Sequence, residues 1–303
     1  MRGIAKHVVW WVAAVGCGRS AIEIEDARVP AQAVGAPVAR VASPAQIDAD
    51  APEVPVADVS APAPPDDLGP PPTLPDGDTV TVAELVTALE VVAVSLEGRP
   101  ALARDYEAWR TAHGLLASDR LWRDYVRVRL VFECVRDGGL WGMRWAITNR
   151  EPNSDEVWAQ WGKLDGFDPS TEIATATAEC DELSALFAVL VRRLGVEDVG
   201  LFWPVWNHVV AVWTVPGEDG PARIVVPTSQ IFLDEDASLG TDGFNQWKQK
   251  TIYEYRRKDV RDGVRLPAEL ARFFIDRAWR EAGRSQTELQ ADRNARSARL
   301  GGS

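Results

Sequence analysis

One segment limits the folds open to this chain more than any other. From residue 178 to 195, Leu183, Leu186, Phe187, Leu190, Val191 and Leu194 recur at helical spacing and form one apolar stripe. Beyond Gly195 the apolar period changes to two, and residues 199–203, 207–214 and 223–227 read as strands, the last two joined by a turn at Gly217-Glu218-Asp219-Gly220. A helix that must bury a stripe, followed by strands linked through short turns, predicts a helix packed on a mainly antiparallel sheet. Thr177 is expected to cap this helix, Asp181 and Glu182 suit the positive end of its dipole, and Gly195 supplies the stop. Cys180 is thereby expected near the third helical position, within the first turn.

The residues before this unit are helical in pattern. Thr81-Val82-Ala83-Glu84 is a capping-box sequence, and apolar residues continue at near-helical spacing until Gly98 and Pro100. A second helix is expected from Pro100 to about 116 and a third from 118 to 136, ended by Gly138-Gly139. Asn153-Ser154-Asp155-Glu156 opens a short helix to about 164. After the strands, residues 251–255 suggest a further strand and 266–282 an amphipathic C-terminal helix. The expected class is α+β: N-terminal helices, a Cys-bearing helix on a sheet, and a C-terminal helix. One globular domain over 79–284 is expected, with 285–303 as a flexible tail.

The first 78 residues have a different character. Arg2, Lys6 and His7 precede an apolar run over 8–16 that is too short to span a bilayer, the pattern of an export signal. Ala14-Val15-Gly16-Cys17 resembles the bacterial lipobox, although Ala14 stands where that family prefers Leu. The resemblance implies a signal peptide over 1–16, a lipid on Cys17 and a membrane-anchored protein of the cell envelope, on its periplasmic or outer-membrane face. Between Gly18 and Asp78 lie 12 of the 20 prolines and no aromatic residue. Such a segment buries too little apolar surface to offset chain entropy and reads as a disordered Ala/Pro-rich tether over 17–78. Residues 1–80 carry 11 acidic and 5 basic side chains, so half of the chain's net charge of −12 belongs to this appendage. No basic field for nucleic acid is left in the remainder.

The chemistry-bearing residues are few. A thiol at a helix N-terminus meets unpaired amides and a dipole that favour thiolate, and it becomes a nucleophile when an imidazole can hold its proton. His208 is the histidine of the strand region, since His7 lies in the signal and His113 on an early helix. The segments ECDELSALFAVLVRRLGV, NHVVAVW and RIVVPTS resemble the core of transglutaminase-like proteins, a superfamily with a papain-like thiol fold, over about residues 175–230. The resemblance implies Cys180 as nucleophile and His208 as general base. Where that family carries Asp before Pro-Thr, this chain has Val226-Pro227-Thr228. Thr228, Ser229 and Gln230 are the neutral candidates to orient the imidazole, Asp234 is a more distant option, and Trp203 and Trp206 are the candidates to edge a substrate cleft. No zinc-type Cys/His spacing, phosphate-binding glycine loop or Gly-x-Ser-x-Gly elbow occurs, so no cofactor or metal is expected.

Two functions follow from the resemblance. One is an exported, lipid-anchored protein that hydrolyses or transfers an amide acyl group on an envelope peptide or protein. The other is a catalytically silent member that binds an envelope partner. Against either stand plainer readings: Cys180 as a small core residue with His208 satisfied in the core, or Cys134 and Cys180 joined in a disulfide. Asp234-Glu235-Asp236 and Gly240-Thr241-Asp242-Gly243 lack EF-hand spacing and read as a solvated acidic loop.

Overall fold

A computed structural model of the chain describes residues 69–150, 153–164, 174–205, 208–229, 253–254 and 263–301. The signal and tether with Cys17, the acidic loop, and the candidates Trp206 and Gln230 lie outside these residues. Among the described residues the fold is mixed α+β, with seven helices and small, mostly antiparallel sheets. No helix among them is long and apolar enough to cross a membrane.

The chain enters through β1 (Thr79–Thr81) and turns into α1 (Val82–Leu96). Thr81 is the N-cap and the capping box is closed: its Oγ1 accepts from Glu84 N at 3.2 Å, and Glu84 Oε2 accepts from Thr81 N at 2.7 Å. Helix α2 (Pro100–Ala112) ends four residues earlier than its apolar pattern suggests, because Gly114 turns left-handed at φ +59°. Ser118 caps α3 (Asp119–Val135), accepting from Leu121 N at 3.0 Å. The stop after α3 is steric as well as conformational. A Cβ on Gly139 would lie 2.5 Å from the Glu133 carbonyl oxygen, so the chain folds back there only as glycine.

The tryptophan-rich stretch that follows contains β2 (Met143–Trp145), which pairs in parallel with β3 (Ala176–Ala178), and α4 (Asp155–Gly162) lies between them in the chain. Helix α5 (Cys180–Arg193) starts directly after β3, and Gly195 at φ +88° ends it. Strands β4 (Val199–Val205), β5 (His208–Gly217) and β6 (Gly220–Val226) form an antiparallel meander, with β7 (Tyr253–Glu254) on the far edge of β4, in the order β6-β5-β4-β7. Gly217 pairs with Gly220 at the expected hairpin turn. Strand β8 (Arg265–Pro267) pairs with β1 and leads into α6 (Ala268–Glu281). The first residues of the expected C-terminal helix are thus strand.

The segment expected as a flexible tail forms α7 (Gln286–Gly301). Its Leu289 is buried, and Gln290 Oε1 accepts from Arg136 at 3.0 Å, so this helix docks on the body of the fold.

Helix α5 is the centre of the structure, packed against β5, β4 and α3. Every residue from Cys180 to Val191 is buried. The stripe read from the sequence explains one face; Ala185 and Ala188 let neighbours approach another. Tryptophans fill the space behind it: Trp141 stacks on Phe274 at 4.4 Å and donates to its carbonyl at 3.1 Å, Trp161 lies edge-on to both, and Trp213 stacks on Trp109.

A buried ion cluster crosses α3. Arg129, Glu133 and Arg136, at successive turns, are each under 3% exposed, with Glu133 paired to both arginines and its contact to Arg136 at 2.8 Å. Burial pulls the Arg136 guanidinium down to about 9 and moves Arg129 in the same direction.

Candidate functional site

Cys180 is the first residue of α5, and Glu179 is the N-cap. The expected cap, Thr177, is instead in β3, where Gln160 of α4 clasps it: Thr177 N donates to Gln160 Oε1 at 3.0 Å, and Gln160 Nε2 donates to Thr177 O at 2.9 Å. The helix therefore starts two residues later than Thr177 implies, and Cys180 moves from about the third position to the first. Strand β3 delivers it: its parallel ladder with β2 fixes the chain up to Ala178, and Ala146 N prolongs the contact by donating to Ala178 O at 3.0 Å.

Ser184, one turn along α5, joins the pieces of the site. Its Oγ lies 2.7 Å from the Cys180 carbonyl oxygen, 3.3 Å from that of Val209 and 3.2 Å from Thr228 Oγ1. A hydroxyl has one proton to give; with that proton on a carbonyl, the Thr228 hydroxyl donates to Ser184. The first turn of α5, the start of β5 beside His208, and the residues just past β6 thus meet at one serine. Asp137, beyond the end of α3, closes the far side: its N–H donates to Thr228 O at 2.8 Å and its carboxylate accepts from Trp145 N at 2.8 Å. Of the sequence candidates, the fold brings Cys180, Thr228 and the His208 strand together. Trp203 is half-buried and packs against the main core. Val226, at the place of the family's Asp, is a core residue opposite Ala211.

Cys134 and Cys180 both keep their thiols, so the disulfide between them does not form. Both are buried, and burial pushes the Cys134 thiol well above its ordinary range. His208 is 3% exposed, and burial pulls its imidazole from 6.5 down to about 4. It is neutral near pH 7 and holds a lone pair that can take a proton.

The surroundings of Cys180 are acidic. Glu179, Asp181 and Glu182 are all buried. Burial, with the neighbouring charges of Glu179 and Glu182, pushes Asp181 from 3.8 up to about 7, against the pull of the hydrogen bond it accepts from Glu182 N at 2.8 Å. Glu182 is held harder. Its Oε1 lies 2.7 Å from Arg150 Nε, and its Oε2 accepts from Arg150, from Thr148 Oγ1 at 2.8 Å and from Glu179 N at 2.9 Å. Sequence reasoning treats Asp181 and Glu182 only as partners of the helix dipole and assigns no role to Ser184, Asp137, Thr148 or Arg150. The Ser at i+4 from Cys180, on the same helix face, is the signal that could have revealed Ser184.

Comparison of the chain with protein-family models, with curated proteins and with solved structures finds no match in any of the three.

Proposed function

We propose that this chain is an exported, lipid-anchored protein of the transglutaminase-like superfamily, with Cys17 as the lipid site. Its globular domain hydrolyses or transfers an amide acyl group of an envelope peptide or protein through Cys180. The observation that carries this reading is the junction at Ser184, where the turn bearing Cys180 meets the strand opened by His208. In the reaction His208, neutral at working pH, takes the thiol proton as sulfur attacks the carbonyl carbon and returns it to the leaving amine. Amides at the start of α5 point toward the developing oxyanion.

A specific observation favours the second reading, a silent member that binds its partner without turnover. Val226 stands where the family carries its Asp, and three buried acids, Glu179, Asp181 and Glu182, flank Cys180 in the chain. An Asp at that place would stabilise the charged form of the imidazole, and Val226 cannot.

Labelling of Cys180 by iodoacetamide from pH 5 to 9, in wild type and His208→Ala, separates the two. The enzyme gives fast labelling at low pH that falls in the variant. Slow labelling that is indifferent to His208 establishes the silent form. Cys17→Ala is expected to move the protein from membranes to the soluble fraction; unchanged sedimentation rejects the lipid anchor.

A further inference from the structure

The segment from Ala146 to Arg150 lies along the start of α5 and holds the residues on either side of Cys180. Glu179 Oε2 accepts from Thr148 N at 3.0 Å, from Thr148 Oγ1 at 3.2 Å and from Asn149 N at 2.9 Å. Glu182 lies against the Arg150 guanidinium: its Oε2 accepts from Nη2 at 3.1 Å, and its Oε1 is 2.7 Å from Nε as an ion contact without hydrogen-bond geometry. Arg150 Nη2 also donates to Thr177 O at 3.1 Å, so one guanidinium bridges β3 and α5 across Cys180. The backbone bends to make this possible. Asn149 has φ +54°, the one non-glycine residue with positive φ among the described residues, and its N–H is one of the donors to Glu179.

We propose that Arg150 is a positioning residue of the Cys180 centre. By compensating Glu182 it fixes the first turn of α5 and offsets negative charge that would oppose ionisation of the thiol. The ionisable groups gathered here are the N-cap Glu179, Asp181 and Glu182 on α5, Arg150 on the loop, Glu156 of α4 at 3.8 Å from Arg150, and His208 on β5. Glu182 is fully buried whereas Arg150 is partly exposed, so removal of the guanidinium leaves a buried negative charge within one helical turn of the sulfur. The geometry demands more than charge, because the planar guanidinium donates to Glu182 and to the Thr177 carbonyl together while its Nε also faces the carboxylate, whereas Lys offers a single point charge.

The inference rests on Cys180 being the reacting thiol, but its test is independent of turnover. In the full chain, the pH midpoint of Cys180 alkylation is measured by peptide mapping, with buried Cys134 as the reporter of folding. Arg150→Ala is expected to raise the midpoint by about one pH unit, a roughly tenfold loss of labelling rate on the rising limb. Arg150→Lys is expected to recover part of the shift. Adding Glu182→Gln to Arg150→Ala is expected to return the midpoint to that of wild type, which a merely structural role of Arg150 does not predict. An unchanged or lowered midpoint in Arg150→Ala, or no recovery in the double variant, overturns the proposal. If Arg150→Ala labels Cys134 and Cys180 alike because it has unfolded, Glu182→Gln alone decides: a lowered midpoint supports the proposal and an unmoved one ends it. His208→Ala tests the catalytic reading separately, so failure of one leaves the other legible.

Discussion

Replacing His208 by Gln should reveal a pH-dependent part of stability that the wild type conceals. The folded protein binds a proton on His208 only near pH 4, whereas the unfolded chain does so at 6.5. This contribution is complete above pH 6.5 and is lost as pH falls toward 4, below which it no longer changes. From pH 7.5 to 4.5 the loss is about 2.5 kcal/mol. Asp181 works in the opposite direction over the same range. Its folded value of about 7 stands above the unfolded 3.8, so its buried acid form favours the fold at low pH and that advantage is lost as pH rises. Between pH 4.5 and 7.5 this amounts to about 3 kcal/mol, and the two contributions nearly cancel in the wild type. A paired comparison separates them. In urea denaturation at pH 7.5, 6 and 4.5, the stability of wild type minus that of His208→Gln is expected to shrink by about 2.5 kcal/mol toward acid. Packing lost on substitution is a constant offset and does not enter the difference. A gap that stays constant across the three pH values refutes the buried, neutral imidazole, and with it the assignment of His208 as a base ready at neutral pH.

The same logic gives Asp181→Asn a stability advantage over wild type that grows by about 3 kcal/mol from pH 4.5 to 7.5, since Asn keeps an acceptor for Glu182 N; the same titrations check it. Glu133→Ala removes the carboxylate shared by two buried guanidinium groups, leaving Arg129 its longer 3.8 Å contact to Asp105, and is expected to cost about 3–5 kcal/mol in urea denaturation, whereas apolar residues of like volume at Arg129, Glu133 and Arg136 together should recover most of it. Gly139→Ala drives a methyl group against three carbonyl oxygens and should cost about 2–3 kcal/mol, read as a lowered melting temperature; an unchanged melting curve contradicts the close approach.

Much of this architecture is legible in the sequence where local chemistry decides it. The Thr81 capping box, the stop at Gly195 and the 217–220 hairpin need only neighbouring residues, and each occurs where the pattern places it. Thr177 misleads for the same reason. As a cap it satisfies local rules, but its backbone is claimed by Gln160, 17 residues away, and the helix starts instead at Cys180. The buried charges are illegible in principle from one helix's periodicity. Asp181, Glu182, Arg129 and Glu133 fall off their helices' apolar stripes, and nothing local tells that β2, the Thr148 loop or α2 covers those faces. Helix α7 shows the reverse error: an Arg-rich sequence with few apolar residues looks unanchored, yet Leu289 and Gln290 suffice to seat it.

Strand β1 joins β8 across most of the domain, Thr79 opposite Pro267, with Val82 N donating to Val264 O and Ala268 N to Asp78 O at the two ends of the ladder. Helix α1 correspondingly lies against α6. The beginning of the domain is thus completed by its end. At roughly 5–20 residues per second, a ribosome needs on the order of 10–40 s to pass from one strand to the other. Throughout that time Val82, Leu85, Leu89 and Val92 have no α6 to cover them. The β1–β8 ladder cannot close before the chain has been made past β8, and until α6 follows, the side of the first helix that α6 covers stays open to other chains.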